Sequence, residues 1–558
     1  MAAITVGQYL LRRLHELGVR HIFGVPGDYN LGLLEQITAD PQLAWIGACN
    51  ELNAAYAADG YARINGLGAL VPTFGVGELS AINGVAGSFA EYVPVVAIPG
   101  APATGVQARG AIMHHTLGTG DFSVFARMYE RVTAAQAQLT AANAAAEIDR
   151  VLSVCLRRKQ PAYISLPVDV ATAKIKAPAA PLVPSGYTSD PAALADALDA
   201  VEGMLAGARR PVVLADVGVD RYRMHDPLRA LLDATGYPWA TMTMGKGLLE
   251  ETHPQFIGIY GGALSSDYVR TRIEEADAIL TIGTLLTDFN TGGFSAHLDP
   301  GRTIEVRGAT LRIRRALYEQ VAMRDVLPAL ARRLPHRDAA TLDIQPAAGQ
   351  LDPGFTQPFT PQPQAPITHR RFWHRLARFV EKEDIVMAEA GTALFGAVGM
   401  PLPPRVTFIS QLLWASIGYT LGAMVGTAMA APGRRSVLLI GDGALQLTVQ
   451  ELSTAVRHGA APVVIVLDND GYTIERIIRG PTQAYNDIQP WRYAQLPELF
   501  GSDGIGIRVS TEDELEEALA EAARRRDRLV LLDMVMDRLD CPDVLHRIGS
   551  MAASMNNY

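Results

Sequence analysis

The sequence has few cysteines, no excess of positive charge and no signal-like start. Its 558 residues include three cysteines, Cys49, Cys155 and Cys541, without Cys-x-x-Cys spacing. That pattern argues against a disulfide framework and a zinc site, and it fits a reducing cytoplasm. The formal net charge is -9, from 49 basic and 58 acidic residues, so nucleic acid is not an expected partner. The N-terminus lacks a basic segment followed by an apolar one, so we predict no signal peptide.

Charged residues make up only 19% of the chain and hydrophobic residues 49%, which is typical of a large soluble enzyme. The length exceeds what one core supports, so roughly two to four domains are expected. No charge occurs between Arg405 and Arg434. Because Gly418, Gly422 and Gly426 interrupt this stretch, we predict a closely packed helix at a subunit interface and no membrane span.

The most informative stretch runs from residue 436 to residue 475. An apolar run, 436–440, enters Gly441-Asp442-Gly443, and a helical pattern follows from near Ala444 to near Gly459. A second apolar run, 462–467, ends on Asp468-Asn469-Asp470-Gly471. Strand, helix and strand in this order predict a right-handed parallel crossover, whose two loops follow the carboxyl ends of neighbouring strands.

Asp442, Asn469 and the carbonyl oxygen of Gly471 would converge at that edge of the sheet. Such an incomplete, all-oxygen shell suits Mg²⁺, which keeps positions open for phosphate oxygens and water. Glycines let the backbone approach a diphosphate, and the free N–H groups of a helix starting near Ala444 would face it.

These motifs resemble those of the thiamine diphosphate-dependent 2-oxo acid decarboxylases, which act on pyruvate, indolepyruvate, phenylpyruvate or branched-chain 2-oxo acids. The resemblance rests on Gly441-Asp442-Gly443, on Asp468-Asn469, on Gly471 to Glu475 and on residues 485–488. It extends over essentially the whole chain. The family motif commonly ends in two asparagines, and here the first is Asp468, whereas Asn469 matches the metal ligand.

The resemblance implies three doubly wound α/β domains with mainly parallel sheets. A pyrimidine-binding domain is expected at residues 1–180, a middle domain at 190–340, and a diphosphate- and Mg²⁺-binding domain at 367–558. The Pro-rich segment 345–366 is predicted to be a linker with little structure of its own.

The family's catalytic residues are matched in both outer domains. Glu51, on the first turn of a predicted helix, matches the glutamate that protonates N1′ of the cofactor's aminopyrimidine. The adjacent His114 and His115 match a proton relay that works with Asp28 and Glu475. The implied reaction takes a 2-oxo acid to an aldehyde and CO₂ through the C2 ylide of thiamine diphosphate.

Further residues match positions that contact the cofactor. Ile417 matches the bulky residue that bends the cofactor into a V shape, and the Ala415 carbonyl would accept from its 4′-amino group, although the family usually has glycine there. Thr often stands where this chain has Ala390. The predicted cofactor-binding residues are Val25, Pro26, Val76, Ala415, Ile417, Gly441, Asp442, Gly443, Ala444, Asn469 and Gly471, with Asp442, Asn469 and Gly471 as metal ligands.

The substrate pocket implied by the resemblance is largely apolar. Some pyruvate-specific members have Trp where this chain has Leu394, and leucine leaves more room. Each buried methylene of substrate would contribute about 0.8 kcal/mol, so we predict a preference for branched or aromatic 2-oxo acids, with pyruvate decarboxylation as the alternative. The predicted lining residues are Phe289, Asn290, Thr291, Leu394, Phe395, Ile474 and Ile478.

Three other functions remain open. A thiamine diphosphate-dependent carboligase is disfavoured by the His-His pair with Glu475. A nicotinamide dehydrogenase is disfavoured because the loop predicted at residues 75–80 ends on Ser80, where the dinucleotide fingerprint needs glycine. A non-catalytic 2-oxo acid sensor is disfavoured by the complete set of acids. The first and third domains carry complementary halves of the site, so we expect a homodimer or homotetramer with the site at the subunit interface.

Overall fold

The computed structural model describes residues 3–555, which form three large sheets flanked by helices and a small antiparallel sheet of β1 and β9. The N-terminal unit contains a six-strand path in the order β3-β2-β4-β5-β8-β6, with β7 also paired to β8, and all these pairings are parallel. Its strands are β1 (Ala3–Thr5), β2 (His21–Gly24), β3 (Ala44–Gly47), β4 (Gly68–Val71), β5 (Val95–Ala97), β6 (Gly100–Ala101), β7 (Ala135–Gln138), β8 (Ala162–Pro167) and β9 (Lys174–Lys176). Its helices are α1 (Val6–Glu16), α2 (Leu31–Ala39), α3 (Glu51–Asn65), α4 (Val76–Ala90), α5 (Thr104–Ala108), α6 (Val124–Tyr129), α7 (Ala144–Arg158) and α8 (Val168–Ala171).

The middle unit has a sheet in the order β12-β11-β10-β13-β14-β15-β16. Its first five strands are parallel, whereas β15 and β16 add an antiparallel edge. The strands are β10 (Pro211–Ala215), β11 (Trp239–Thr241), β12 (Phe256–Ile259), β13 (Ala278–Ile282), β14 (Thr303–Val306), β15 (Thr310–Ile313) and β16 (Ala316–Glu319). The helices are α9 (Pro191–Ala206), α10 (Gly218–Arg221), α11 (His225–Thr235), α12 (Asp267–Glu274) and α13 (Met323–Arg333).

The C-terminal unit has an all-parallel sheet in the order β18-β17-β19-β20-β22-β21. Its strands are β17 (Ile385–Ala388), β18 (Thr407–Ile409), β19 (Ser436–Gly441), β20 (Val463–Asp468), β21 (Ile505–Val509) and β22 (Val530–Val535). Helix α14 (Pro353–Thr356) precedes it, and its own helices are α15 (His369–Leu376), α16 (Thr392–Gly399), α17 (Tyr419–Ala430), α18 (Asp442–Thr448), α19 (Glu451–Arg457), α20 (Thr473–Arg479), α21 (Leu496–Leu499), α22 (Glu512–Arg524) and α23 (Asp543–Met555).

These sheets confirm the predicted fold class of three α/β units with mainly parallel strands. An extended segment separates β9 from α9, as the predicted first boundary requires, and the predicted linker at 345–366 contains only α14 and a short 3-10 turn at Ala347–Gln350. The exact domain limits stay predictions. The sequence pattern missed the antiparallel edge strands of the middle unit, because such short strands leave a weak period-2 signal.

Two local predictions were wrong. The helical pattern from Ala444 to Gly459 is two helices, α18 and α19, interrupted at residues 449–450. Residues 76–80, expected in a loop, already belong to α4, because Gly75 adopts φ 63° and Glu78 accepts from its N–H in a capping box. Both misses lie at helix ends, where side-chain capping decides the boundary.

The charge-free stretch forms β18 and the buried helix α17, which packs against α3 of the same chain. A Cβ at Gly426 would lie 1.9 Å from the Ala57 carbonyl oxygen, and one at Gly60 would lie 2.2 Å from that of Ala423. Glycine therefore permits this close helix contact, which joins the N-terminal and C-terminal units through one apolar core. The middle unit has its own core. Within residues 3–555, every helix is too short or too polar to cross a membrane.

Candidate active site

The order of strands in the C-terminal unit reverses between β17 and β19, and such switch points are where open α/β sheets bind ligands. Asp442 follows β19 there, and its side chain is almost completely buried. Its Oδ1 accepts from the Gly443 N–H at 2.7 Å, and its Oδ2 accepts from the Gly471 N–H at 2.9 Å. The carboxylate thus ties together the loops that follow β19 and β20.

Asn469 completes a cluster of oxygen atoms beside Asp442. Its side-chain oxygen lies 3.3 Å from Asp442 Oδ1 and 2.9 Å from the Gly471 carbonyl oxygen. Turning the amide would place nitrogen at these two oxygens and let the amide oxygen accept from the Thr473 hydroxyl at 3.1 Å. Three converging oxygens repel one another unless a cation lies between them, so the first orientation fits a bound Mg²⁺ and the second fits the cation-free state.

The electrostatics of this cluster also fit a cation. Burial raises the pKa of Asp442 to about 7, with smaller contributions in the same direction from Asp468 and Asp470. Asp468 itself pairs with Asp533 on β22, and Arg508 lies 2.9 Å from Asp533 and 3.6 Å from Asp468. A divalent cation would offset the unfavourable burial of the Asp442 carboxylate.

The backbone around the switch point leaves room for a ligand. A Cβ at Gly441 or at Gly391 would meet nothing within 4 Å. Gly391, at φ 121°, follows β17, and helix α18 begins at Asp442 with first-turn amide groups that lack intrahelical partners. Open space, free amides and an oxygen cluster are what a metal-bound diphosphate requires.

Sequence reasoning did not identify Glu389, which organises the opposite side of the switch point. This buried carboxylate accepts from the Thr420 hydroxyl at 2.5 Å and from the Thr420 N–H at 3.1 Å, and burial raises its pKa to about 7. It thereby fixes the end of the loop 411–418. The available signal was an acid placed directly after an apolar strand, at a position where ligands are held.

The loop 411–418 presents the residues expected to shape the cofactor. Ala415 has φ 51°, which explains why a glycine would be favoured there. Ile417 is 37% exposed, although it is a large aliphatic residue. The Ser416 hydroxyl shares a hydrogen bond of 2.6 Å with the Tyr56 hydroxyl of α3. The loop is therefore held by the N-terminal unit while its apolar tip faces outward.

The N-terminal unit brings Asp28, His114 and His115 together. His114 Nε2 lies 2.7 Å from Asp28 Oδ2, and the Tyr29 ring stacks on His114 with centroids 5.0 Å apart. One potential ligand atom from each of Asp28, His114 and His115 lies within 4.8 Å of the others. His115 has φ 60°, which turns the chain so that both rings reach Tyr29. Direct acid–imidazole contact is the geometry that a proton relay needs.

Glu51 lies where α3 begins, after the Asn50 side chain caps Asn53 N–H at 2.8 Å. A Cβ at Gly77 would lie 2.9 Å from Glu51 Oε1, so the start of α4 lies directly beside the Glu51 carboxylate. The buried Glu78, another residue that the sequence did not single out, accepts from Gly75 N–H at 2.9 Å and from the Tyr163 hydroxyl at 2.8 Å. It holds the turn that lies beside Glu51.

The two groups of residues do not meet within the chain. Across residues 3–555, no hydrogen bond or ion pair joins Asp28, Glu51, His114 or His115 to Asp442, Asn469 or Glu475. Val76, near Glu51, is 53% exposed, and Val25, Pro26 and Glu475 are only partly covered or exposed. Ala444 is buried on the first turn of α18. Both groups therefore include residues at the surface, whereas the oxygen cluster around Asp442 is itself buried.

The predicted substrate residues fall into separate environments. Phe289 and Phe395 lie 6.1 Å apart, and with Ile474 they join a cluster closed by Leu545 and Ile548 of α23. Ile477, which the sequence did not single out, belongs to that cluster, whereas Ile478 is half-buried outside it.

The other predicted pocket residues are engaged elsewhere. Asn290 is fully buried and its amide donates to Asp216 Oδ2 at 2.8 Å, while the Thr291 hydroxyl donates to the Thr287 carbonyl at 2.5 Å. Both thus use their polar groups inside the middle unit. Leu394 lies beside Phe395 in sequence but lines a different cavity. Successive residues on α16 point about 100° apart, which accounts for the separation.

Three family models match the chain in the same order as the three sheets. They are the thiamine pyrophosphate enzyme N-terminal TPP binding domain at residues 4–121, the central domain at 198–331 and the C-terminal TPP binding domain at 391–534. Thiamine pyrophosphate is the same compound as thiamine diphosphate. The fold and the split site therefore define a thiamine diphosphate enzyme.

Curated relatives resemble the chain over nearly its full length. An "Alpha-keto-acid decarboxylase" of Mycobacterium leprae is 46% identical over 556 residues, covering 100% of this chain and 97% of the relative. Proteins with the same description from Mycobacterium avium and Mycobacterium tuberculosis are 47% and 46% identical, over 97% and 98% of this chain and 96% and 97% of their own lengths. The chain belongs to the thiamine diphosphate-dependent 2-oxo acid decarboxylase family.

Proposed function

We propose that the chain decarboxylates a branched-chain or aromatic 2-oxo acid to an aldehyde and CO₂, with thiamine diphosphate and Mg²⁺ bound between two copies of the chain. The observation that carries the proposal is the convergence of Asp442, Asn469 and the Gly471 carbonyl at the switch point. It occurs in a chain with 46% identity to an alpha-keto-acid decarboxylase over its whole length.

Asp442, Asn469 and the Gly471 carbonyl would hold the Mg²⁺, and the backbone at Gly441, Gly443 and Ala444 would accommodate the diphosphate. When bound, the thiazolium ring supplies the electron sink that loss of CO₂ from a 2-oxo acid requires. The carbonyl of Ala415 and the side chains of Ile417, Val25, Pro26 and Val76 would orient the organic part of the cofactor. These contacts would hold the reactive atoms of the cofactor in place for the substrate.

The acids and imidazoles move protons. Glu51 would exchange a proton with the aminopyrimidine ring. Its carboxyl group forms no hydrogen bond within residues 3–555 and so is available for that contact. Asp28, with His114 at 2.7 Å, and Glu475 would lie near the substrate carboxylate. Negative charge beside the substrate carboxylate raises the free energy of its charged form and so favours departure of CO₂. His114 and His115 would relay the proton that the aldehyde carbon acquires.

The outward-facing halves support a homo-oligomer. Val76 and Ile417 are large aliphatic residues with 53% and 37% of their surface exposed, and both are predicted cofactor contacts. A second copy of the chain would cover them and bring Glu51 to the cofactor bound at its partner. We propose a homodimer as the minimal unit, with a homotetramer as a further assembly. The three free cysteines support a reducing cytoplasmic location.

The substrate preference follows from the apolar cluster around Phe289 and Phe395. 2-Oxoisovalerate carries two more carbons than pyruvate, and at about 0.8 kcal/mol per buried methylene these give roughly tenfold in kcat/KM. Phenylpyruvate buries more surface, and its ring can pack on Phe289 and Phe395.

A substrate panel with added Mg²⁺ and thiamine diphosphate tests the proposal, scoring aldehyde and CO₂. We expect kcat/KM for phenylpyruvate and 2-oxoisovalerate to exceed that for pyruvate by about tenfold or more. Phe395→Ala should lower kcat/KM for phenylpyruvate more than for pyruvate, while Phe294→Ala, at an exposed position, serves as the matched control. Equal values for pyruvate would overturn the preference, and acetolactate as the main product would overturn the reaction.

A further inference from the structure

An arginine is buried beside the turn that supplies two of the proposed metal ligands. Arg476 lies on α20, and its side chain is 0% exposed. A guanidinium group keeps its proton in a protein, so Arg476 is a fully buried positive charge. Burial of a charge is unfavourable unless hydrogen bonds compensate it. The groups that accept hydrogen bonds from Arg476 therefore indicate its role.

Most of these acceptors are backbone carbonyl oxygens. Arg476 Nη1 donates to the Asn469 carbonyl oxygen at 3.2 Å, and Nη2 donates to that of Asp470. Nη2 also lies 3.3 Å from the Asn486 carbonyl oxygen and 3.0 Å from Asp487 Oδ1. The Asp487 side chain is 52% exposed, so the interior contacts are those to the backbone. One planar set of donors thus joins two separate segments of the chain.

The turn that accepts the first two of these hydrogen bonds has an unusual backbone. Asp470 and Gly471 have consecutive φ angles of 59° and 113°. A non-glycine residue seldom adopts the first of these angles, so the turn needs contacts that hold it. In this conformation the Gly471 carbonyl oxygen lies 2.9 Å from the Asn469 side-chain amide, and the Gly471 N–H donates to Asp442 Oδ2 at 2.9 Å. The direction of a proposed metal ligand thus depends on the shape of the turn.

The second segment lies directly against the turn. A Cβ at Gly471 would lie 2.2 Å from the Asn486 carbonyl oxygen, and the Tyr472 N–H donates to that same oxygen at 3.0 Å. Asn486 is itself buried. The turn is therefore packed on an interior segment, and Arg476 supplies a side-chain link between the two.

The charge of Arg476 does not favour a cation at this place. Like charges repel, and the repulsion is stronger in the interior of a protein than in water. Any gain in cation binding must therefore come from geometry. Mg²⁺ requires near-ideal octahedral coordination, whereas Ca²⁺ accepts a longer and more flexible shell. Binding of Mg²⁺ is consequently the more sensitive of the two to the direction of a carbonyl ligand.

We propose that Arg476 is a positioning residue that holds the turn 469–471 in the shape that Mg²⁺ requires. This role rests on the proposed site for Mg²⁺ and thiamine diphosphate. Arg476 acts through the carbonyl groups that it orients and fixes against the second segment. Lysine could not replace it, because a single ammonium group cannot present paired donors to both segments.

The test compares Mg²⁺ with Ca²⁺ in the presence of saturating thiamine diphosphate. Isothermal titration calorimetry of the metal-free protein gives the Kd of each ion. Arg476→Lys keeps the positive charge and removes the planar set of donors. It should raise the Kd for Mg²⁺ about tenfold and that for Ca²⁺ about threefold or less, because Ca²⁺ tolerates a displaced carbonyl. A general loss of stability would change both constants equally, and circular dichroism checks that the variant is folded.

Two further variants make the test independent of how well Arg476→Lys folds. Asp487→Asn, at a half-exposed position, removes only the carboxylate partner of Nη2. It should raise the ratio of the Mg²⁺ Kd to the Ca²⁺ Kd about twofold. Arg479→Gln changes an exposed residue of the same helix and should leave this ratio unchanged.

The wild type separates the two levels of the proposal. It should bind Mg²⁺ saturably, and failure to do so would overturn the proposed cofactor site together with the role of Arg476. Saturable binding with the same ratio of the two constants in the wild type, Arg476→Lys and Asp487→Asn would overturn the role of Arg476 alone.

Discussion

The two halves of the candidate active site differ in how far their charged side chains are exposed to solvent. In the C-terminal unit Asp442 and Glu389 are each 1% exposed, bonded to backbone amides and raised in pKa to about 7 by burial. In the N-terminal unit the Asp28 and His114 side chains are 50% and 55% exposed and bond to each other. The acids of the first half are held by hydrogen bonds in the protein interior, whereas those of the second half lie open to solvent.

This difference suits the buried half to cofactor binding and the exposed half to proton transfer. Buried, preformed oxygens suit a metal and a diphosphate, which must stay bound through many turnovers. Exposed acids and imidazoles suit proton transfer, provided that a partner subunit later excludes water. We therefore propose that the site becomes complete only when the chain pairs with another copy.

The largest expected effect is that of Glu51→Gln, which tests whether the two halves have different roles. If the N-terminal half supplies proton transfer, the amide should lower kcat by about 10³-fold, since it cannot exchange the proton. Cofactor affinity and thermal stability should stay close to the wild type, because the Glu51 side chain forms no hydrogen bond or ion pair within residues 3–555. Steady-state kinetics, cofactor titration by tryptophan fluorescence and thermal unfolding measure the three quantities.

The matched control is Glu35→Gln, which changes an exposed glutamate on α2 and should leave kcat unchanged. Near-normal turnover by Glu51→Gln would refute the assigned role. Loss of both cofactor binding and turnover would mean that the N-terminal half also binds the cofactor. That result would contradict the assignment of binding to one half and proton transfer to the other.

The second test addresses the cation site through pH. Mg²⁺ needs the Asp442 carboxylate, and burial raises the pKa of that group to about 7. Below pH 7 a proton therefore competes with the metal, and apparent Mg²⁺ affinity should fall by up to about tenfold per pH unit. Titrations of cofactor-free protein with Mg²⁺ and thiamine diphosphate measure this affinity. They should cover about pH 5.5 to about pH 8, which brackets the pKa of Asp442.

The same carboxyl links pH to stability. Its pKa rises from 3.8 to about 7 on folding, so the folded chain binds its proton more tightly than the unfolded chain. Its contribution favours folding at low pH and is lost as pH rises from about 4 to about 7. Cofactor-free protein should lose this stability over that range, and Mg²⁺ with thiamine diphosphate should restore it. A pH-independent Mg²⁺ affinity would contradict the raised pKa.

The third test concerns Asp468, which stands where the family motif commonly has asparagine. Asp468→Asn removes a like charge that raises the pKa of Asp442. The pH at which apparent Mg²⁺ affinity is half its plateau value should therefore fall by about half a unit, since a partly exposed charge at this range contributes roughly 0.5–1 kcal/mol. Asp470→Asn is the matched variant. Because the Asp470 side chain is 49% exposed, the midpoint should shift less in this variant. An unchanged or higher midpoint in Asp468→Asn would contradict this account.

The convergence of Asp442 and Asn469 could be predicted from the sequence because its signals are local. A strand, a Gly-Asp-Gly turn, a helix start and a second strand are contiguous in the chain, and parallel topology brings Asp442 to Asn469. Glu389 and Glu78 escaped notice because their importance depends on burial, which tertiary packing decides. The opposite orientations of Leu394 and Phe395 required knowing which way α16 faces, and no short-range pattern encodes that.

The resemblance to a family supplied the N-terminal half, since an adjacent His pair in a loop has no chemical meaning until Asp28 lies beside it. Residue-level reasoning placed these groups after strands and went no further. It predicted the close packing of α17 from its glycines, but not that α3 of the same chain is the partner.

The smallest expected effect tests whether the C-terminal half is held in a strained conformation. Ala415 has φ 51°, a left-handed conformation that costs a non-glycine residue about 1–2 kcal/mol. Glycine would relieve that strain but lose more backbone entropy on folding, about 0.5–1 kcal/mol, so Ala415→Gly should stabilise the protein by at most about 1 kcal/mol. The same substitution at Ala428, within helix α17, should destabilise it by about 1 kcal/mol. Thermal unfolding of the two variants should therefore shift in opposite directions, and a shift of the same sign in both would show that residue 415 is not strained.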